Sequence, residues 1–141
     1  MMASIKARDT APERFVQEAL QAKHISFETH SKLIPGTPDL LLPLYQVALF
    51  VNGCFWHRHT DCFYATTPAT QKTFWKQKLN ENVQRDARKH SEITALGWRV
   101  IVIWECGIKH CPELFAEVID AIEGEALIEE WPEQPPRIRS E

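Results

Sequence analysis

The sequence predicts an α/β fold of three layers, a small mixed sheet flanked by helices, and three observations carry that expectation. Residues 98–104 (WRVIVIW) and residues 45–51 are short apolar runs of the length of buried strands. Between them lies a long polar stretch with helical patterning. Further helical segments open the chain and follow Pro112.

In order along the chain, Thr10, Pro12 and Glu13 read as a capping box that opens a helix, with Phe15, Val16, Ala19 and Leu20 as its apolar stripe. This helix fades near Lys23 or His24, and residues 25–30 form a short strand. Pro35, Gly36, Thr37 and Pro38 make a turn. Leu40–Leu42 is a short buried strand that Pro43 breaks, and residues 45–51, apolar on both faces, form a central one. An irregular segment rich in Cys, His and aromatics covers residues 52–67. The long helix starts at Pro68 or Ala69 and stops at Gly97, a residue suited to a helix C-terminus. After the strand at 98–104, a last helix begins at Pro112, carries Leu114, Phe115, Val118, Ile119 and Ile122 on one side, and closes at Gly124. A single domain spanning 1–141 is expected, its core at about 10–124 and its proline-rich end, 125–141, loosely packed.

With 141 residues, 44% hydrophobic and 25% charged, the chain has a globular composition. It has no apolar run of membrane-spanning length and no apolar signal-peptide core in residues 1–10, so a cytoplasmic address is expected. In that reducing compartment its four cysteines are metal ligands or buried thiols rather than disulfides. The net charge of −3 does not mark a nucleic-acid binder, but it is unevenly spread. Acidic residues crowd the last quarter, from Glu117 to Glu133, while the central region carries Arg58, Lys72, Lys76, Lys78, Arg85, Arg88 and Lys89. That asymmetry fits either a polyanionic partner or solvated helix faces.

The chemistry concentrates in residues 53–62 (GCFWHRHTDC). Cys54, His59 and Cys62 offer three zinc ligands within one loop, and a fourth from elsewhere would pin the loop to the body. Cys106 is the best placed for this, with Cys111 in reserve, and free buried cysteines beside unrelated histidines are the alternative.

Gly53 to His57 (GCFWH), Gly36 to Asp39 (GTPD), Asn82 to Asp86 (NVQRD), and Gly97 to Val100 (GWRV) leading to Trp104, Glu105 and Cys106 together resemble the very-short-patch repair (Vsr) endonucleases. The match keeps the family's order from about Thr10 to Cys106. The resemblance implies a restriction-endonuclease-like fold and nicking 5′ to the thymine of T·G mismatches that arise when 5-methylcytosine deaminates. It implies catalytic Mg²⁺ on Asp39 and the backbone carbonyl of Val51, with His57 as general base and His59 left to a structural zinc; an exchange of the two histidines is the alternative. Glu13 and Asp86 match acidic residues that hold metal-bound waters, although a capping box and a helix-surface ion pair explain them as well. Phe55 and Trp56 match aromatics driven into the base stack beside the mismatch, against core packing as the other reading. Lys72, Lys76, Arg85 and Arg88 are candidates for phosphate contacts.

Three features depart from the family pattern. Asn52 replaces a histidine that helps organise metal waters, the spacing from His59 to Cys62 is one residue longer, and the arm before Thr10, with Lys6 and Arg8, is short. The resemblance further implies a monomer acting on mismatched double-stranded DNA in the bacterial nucleoid, with contacts to mismatch-repair proteins by analogy. A nuclease cutting matched duplex and a non-catalytic zinc-bearing DNA-binding module are the competing functions.

Overall fold

The computed structural model describes residues 10–138. Helix α1 (Ala11–Ala22) is followed by strands β1 (Glu28–Thr29), β2 (Leu40–Leu42) and β3 (Val47–Asn52). Helix α2 (Lys72–Ala95), strand β4 (Arg99–Trp104) and helix α3 (Glu105–His110) come next. A 3₁₀ turn (Pro112–Leu114), helix α4 (Ala116–Ile122) and strand β5 (Ile128–Trp131) complete the order.

The five strands form one mixed sheet in the order β1-β2-β3-β4-β5, as the α/β expectation required. β1, β2 and β3 are antiparallel neighbours, whereas β3, β4 and β5 run parallel. Side chains alternate across a strand, so the apolar runs supply two faces at once. Leu40, Leu42, Leu49, Ile101 and Ile103 pack with Val16 and Leu20 of α1 and Val118 and Ile122 of α4. Leu41, Ala48, Phe50, Val100 and Val102 pack on the opposite face with Ile93 of α2. The result is a restriction-endonuclease-like layering of helix, sheet and helix.

Register decides where the chemistry converges. β3 and β4 run parallel with Asn52 opposite Trp104, so both end together. β2 runs the other way, with Leu40 opposite Leu49, and the Asp39 N–H donates to Leu49 O at 3.0 Å. The start of β2 and the ends of β3 and β4 therefore share one end of the sheet, where open α/β sheets place ligands.

Several elements differ from expectation. β1 is confined to Glu28–Thr29, because Ile25 turns into the core beside α1 instead of extending the ladder. α2 begins at Lys72 rather than at residue 68 or 69, since Gln71 adopts a left-handed conformation (φ 55°) that starts the helix. Gly97 does follow the helix end, at φ +90°. An unforeseen helix, α3, follows β4 directly, and the segment after Pro112 is a 3₁₀ turn before α4.

Through residue 138 the end of the chain is packed, not loose. β5 pairs with β4, Trp131 is buried, and its indole Nε1–H donates to Glu117 at 3.0 Å. A Cβ on Gly107 would come within 2.6 Å of Pro132, so the segment lies directly against α3. Farther along, the Phe63 N–H donates to Arg137 O, and Cys62 bridges Ile138. The short arm with Lys6 and Arg8 lies outside the described residues. Among those described, no helix is long and apolar enough to cross a membrane.

Candidate active site and metal centre

A cavity of about 680 Å³ opens at the shared sheet end. Asp39, Val51, Asn52, His57, Glu13 and Asp86 all line it, so the sequence-predicted catalytic residues from four separate segments face one space. Asp39 Oδ2 accepts a 2.7 Å hydrogen bond from the Val51 N–H, which fixes the carboxylate against the end of β3. Asp39 also hydrogen bonds with Glu13. Burial pushes the Asp39 carboxyl above its ordinary range, overcoming the Val51 and Glu13 hydrogen bonds and the nearby His30 and His57. A carboxylate that burial disfavours, beside a second one, is a site suited to a cation, and its oxygen donors match a hard divalent ion.

Glu13 illustrates how a local motif serves two ends. Thr10 Oγ1 accepts from the Glu13 N–H at 3.3 Å, so the helix cap forms. The Glu13 side chain, however, is only 4% exposed and turns inward to Asp39 and to His30.

His57 Nδ1 lies 2.6 Å from Asp86 Oδ2, and the Asp86 carboxylate holds the imidazole from α2. With Nδ1–H given to Asp86, Nε2 carries the lone pair, the state a general base needs. Asp86, expected beside metal-bound waters, is thus also the partner that orients the imidazole.

His59 lies elsewhere. Its ring stacks on Trp104 at 4.2 Å, and it joins Cys54, Cys62 and Cys106 in a buried cluster whose ligand atoms all lie within 4.8 Å of one another. His59 Nδ1 and Cys106 Sγ are 3.4 Å apart. Tetrahedral zinc with Zn–S of about 2.3 Å requires S–S edges of about 3.8 Å and slightly shorter S–N edges, so the set fits zinc. Cys111, the reserve ligand, is buried in the opposite core. Cys54 is lowered to about 4, chiefly by its hydrogen bond with Cys106 and also by His59. The same contact with Cys54 raises Cys106, and burial raises Cys62. A bound zinc would take all three as thiolates, its charge offsetting their mutual repulsion.

The loop that carries both sets is stapled by Arg58, at φ 55°. Its guanidinium donates to Phe55 O, Ala65 O, Thr66 O and Thr67 Oγ1, at 2.8 to 3.2 Å. Phe55 and Trp56 are half-buried and meet edge-on at 4.9 Å rather than entering either core. Trp75 stands 6.1 Å from Phe55 and 5.9 Å from Trp56, and the more exposed Phe74 extends this aromatic group along α2.

Arg85 lines the cavity, whereas Lys72, Lys76 and Arg88 are exposed on α2 and are not part of its wall. Sequence reasoning missed Lys78, Asn82 and Lys89 as cavity residues. Asn82 Nδ2 donates to Trp56 O at 3.2 Å and thereby ties the aromatic loop to α2. A signal for them existed: Lys78, Asn82, Arg85, Asp86 and Lys89 follow the spacing of a single helix face. Trp75 and His30 were also missed.

A carboxylate at a strand start and a carboxylate-held imidazole share a cleft lined by Lys78, Arg85 and Lys89 at one end of a restriction-endonuclease-like sheet, an arrangement compatible with a nuclease. Comparison with known proteins agrees. The family model for DNA mismatch endonuclease Vsr matches residues 1–63. DNA mismatch endonuclease Vsr of Escherichia coli (strain K12) is 36% identical over 130 residues, which cover 92% of this chain and 80% of the relative. Type II nicking enzyme V.XorIIP of Xanthomonas oryzae is 36% identical, covering 84% and 86% of the two chains. Type II nicking enzyme V.NmeAIP of Neisseria meningitidis is 33% identical, covering 86% and 91%. The chain belongs to the Vsr family of DNA mismatch endonucleases.

Proposed function

We propose that the chain nicks one strand of duplex DNA 5′ to the thymine of a T·G mismatch, with Mg²⁺ at Asp39 and structural zinc in the Cys54, His59, Cys62 and Cys106 cluster. The separation of the two histidines carries this reading: His57 faces Asp39 in the cavity, and His59 lies among the thiols. Mismatch action and one-strand cutting are the activities named for the relatives, the Escherichia coli enzyme for the first and the two nicking enzymes for the second.

When bound, the divalent ion supplies Lewis-acid stabilisation of charge on the scissile phosphate. Asp39 and the Val51 carbonyl would hold it. His57 Nε2 accepts the proton of the attacking water as its oxygen bonds to phosphorus, and Asp86 stabilises the resulting imidazolium. The bond from phosphorus to O3′ breaks, leaving a 3′-hydroxyl after protonation and a 5′-phosphate on the thymidine. Glu13 and Asn52 orient water in the cavity. Phe55 and Trp56, gripped by Arg58 and Asn82, enter the base stack, where a mismatched step costs least to open. Lys72, Lys76, Arg85 and Arg88 take backbone phosphates. Such an enzyme acts as a monomer on DNA in the bacterial cytoplasm, at the nucleoid, alongside mismatch-repair proteins.

Labelled duplexes with and without a T·G pair, incubated with Mg²⁺ and resolved on a denaturing gel, test the proposal. Nicking confined to the thymine strand of the mismatched duplex is the expected result. Equal cutting of matched duplex overturns it in favour of a restriction-type nuclease, and binding without cutting favours a non-catalytic module.

A further inference from the structure

We propose that His30 is a positioning residue of the Asp39 centre, holding the Glu13 carboxylate through a hydrogen bond from its Nε2–H to Glu13 Oε1. The inference rests on the reading of Asp39 as a ligand of a divalent cation.

His30 is placed with unusual care. It follows β1 immediately, in a left-handed conformation at φ 50°, which is uncommon for a residue with a side chain. Its backbone N–H donates to Asp39 O at 3.1 Å, so any shift of His30 is felt at the start of β2. The imidazole Nε2 is buried and has no hydrogen-bond partner among the described residues. A buried polar atom left in that state is costly and calls for an explanation. Glu13 Oε1 lies 3.6 Å from it, roughly 0.6 Å beyond an ordinary N–H···O distance.

Glu13 is the residue to which this matters. It is nearly fully buried, projects from α1, and reaches Asp39. Backbone strain and an unsatisfied nitrogen at one point are features that collect where a site is held ready for a ligand. Closing the short gap satisfies Nε2 and restrains the Glu13 carboxylate that also hydrogen bonds with Asp39. Groups behind a first set of ligands act in this way, by orienting what the ion meets. Asn52 lines the same cavity from β3 and adds a polar side chain to its wall.

The test uses the full chain, zinc-loaded and free of DNA, with Mn²⁺ as the probe and its free signal read by electron paramagnetic resonance. His30→Ala should weaken Mn²⁺ binding at least about tenfold, the scale of lost orienting partners in metal sites. His30→Gln, which restores an N–H donor of similar reach, should recover most of that loss. A purely structural role would lower the melting temperature of both variants and leave Mn²⁺ affinity unchanged. Wild-type affinity in His30→Ala overturns the proposal, and so does a Gln variant as weak as the Ala one. Asp39→Ala serves as the control: if it also binds Mn²⁺ normally, the reading of Asp39 itself fails, whereas sensitivity to Asp39→Ala alone refutes only the role of His30.

Discussion

Asp86→Asn isolates the carboxylate that orients His57 while keeping the shape of the side chain. The contact is 2.6 Å long, with the imidazole one-third exposed and the carboxylate more covered. A hydrogen bond with a charged partner is worth about 1.5–3 kcal/mol, and the exposure of His57 argues for the lower part, about 1.5–2 kcal/mol. If Asp86 stabilises the imidazolium chiefly as it forms, that loss falls on the barrier. At about 1.4 kcal/mol per decade, single-turnover nicking of a T·G duplex should slow about 10- to 30-fold. The loss grows if the new amide donates to Nδ1, because the proton then sits on Nε2 and the base is blocked. DNA affinity and zinc content should remain at wild-type levels, since Asp86 touches neither the exposed lysines nor the thiol cluster. An unchanged rate refutes the reasoning, as does a slow rate traced entirely to weaker DNA binding.

Asp39→Asn should abolish nicking and yet stabilise the metal-free protein at neutral pH, because it removes a carboxylate that burial disfavours. The sign follows from the raised pKa: the contribution of Asp39 to stability is present at low pH and is lost as pH rises through its folded-state value, so the difference between wild type and the Asn variant changes across that range, as thermal melts at several pH values will register. Cys62→Ser should lower bound zinc below about half an equivalent and cost at least about 2 kcal/mol of stability, read by metal analysis and denaturant titration. Arg58→Ala removes four hydrogen bonds from the loop and should raise amide exchange across residues 55–67 while sparing the sheet. Lys72→Ala and Lys76→Ala should each reduce the salt slope of duplex binding by about one, uniformly for matched and mismatched DNA.

The parts of the fold legible in the sequence were those whose pattern has one structural solution. Residues 98–104 alternate apolar side chains onto both faces, and β4 packs into the core on each side of the sheet. β5 was hidden for the opposite reason: Ile128, Glu129 and Glu130 are exposed, and only Trp131 reaches the core, so an acidic stretch with one aromatic read as tail. Its anchor is a long-range pair, with the Trp104 Nε1–H donating to Glu130 at 2.9 Å. α3 was hidden because Trp104 leads into it without a side-chain cap, so nothing local marks the change from strand to helix.

The site divides in the same way. Cys54, His59 and Cys62 were legible because one loop supplies them, and Cys106 followed from its place just past a strand. His30 had no local signal at all. It reaches the site because β1 pairs with β2 and α1 delivers Glu13, neither of which a window around residue 30 contains.

The central claim is the division of labour between His57 and His59, and one set of proteins tests it most directly. His57→Ala and His59→Ala are purified in parallel, and each is assayed for bound zinc and for Mg²⁺-dependent nicking of a T·G duplex. The account predicts that the first keeps about one zinc per chain and loses nicking, while the second loses its zinc. Loss of zinc from the His57 variant, with zinc retained when His59 is removed, would contradict it.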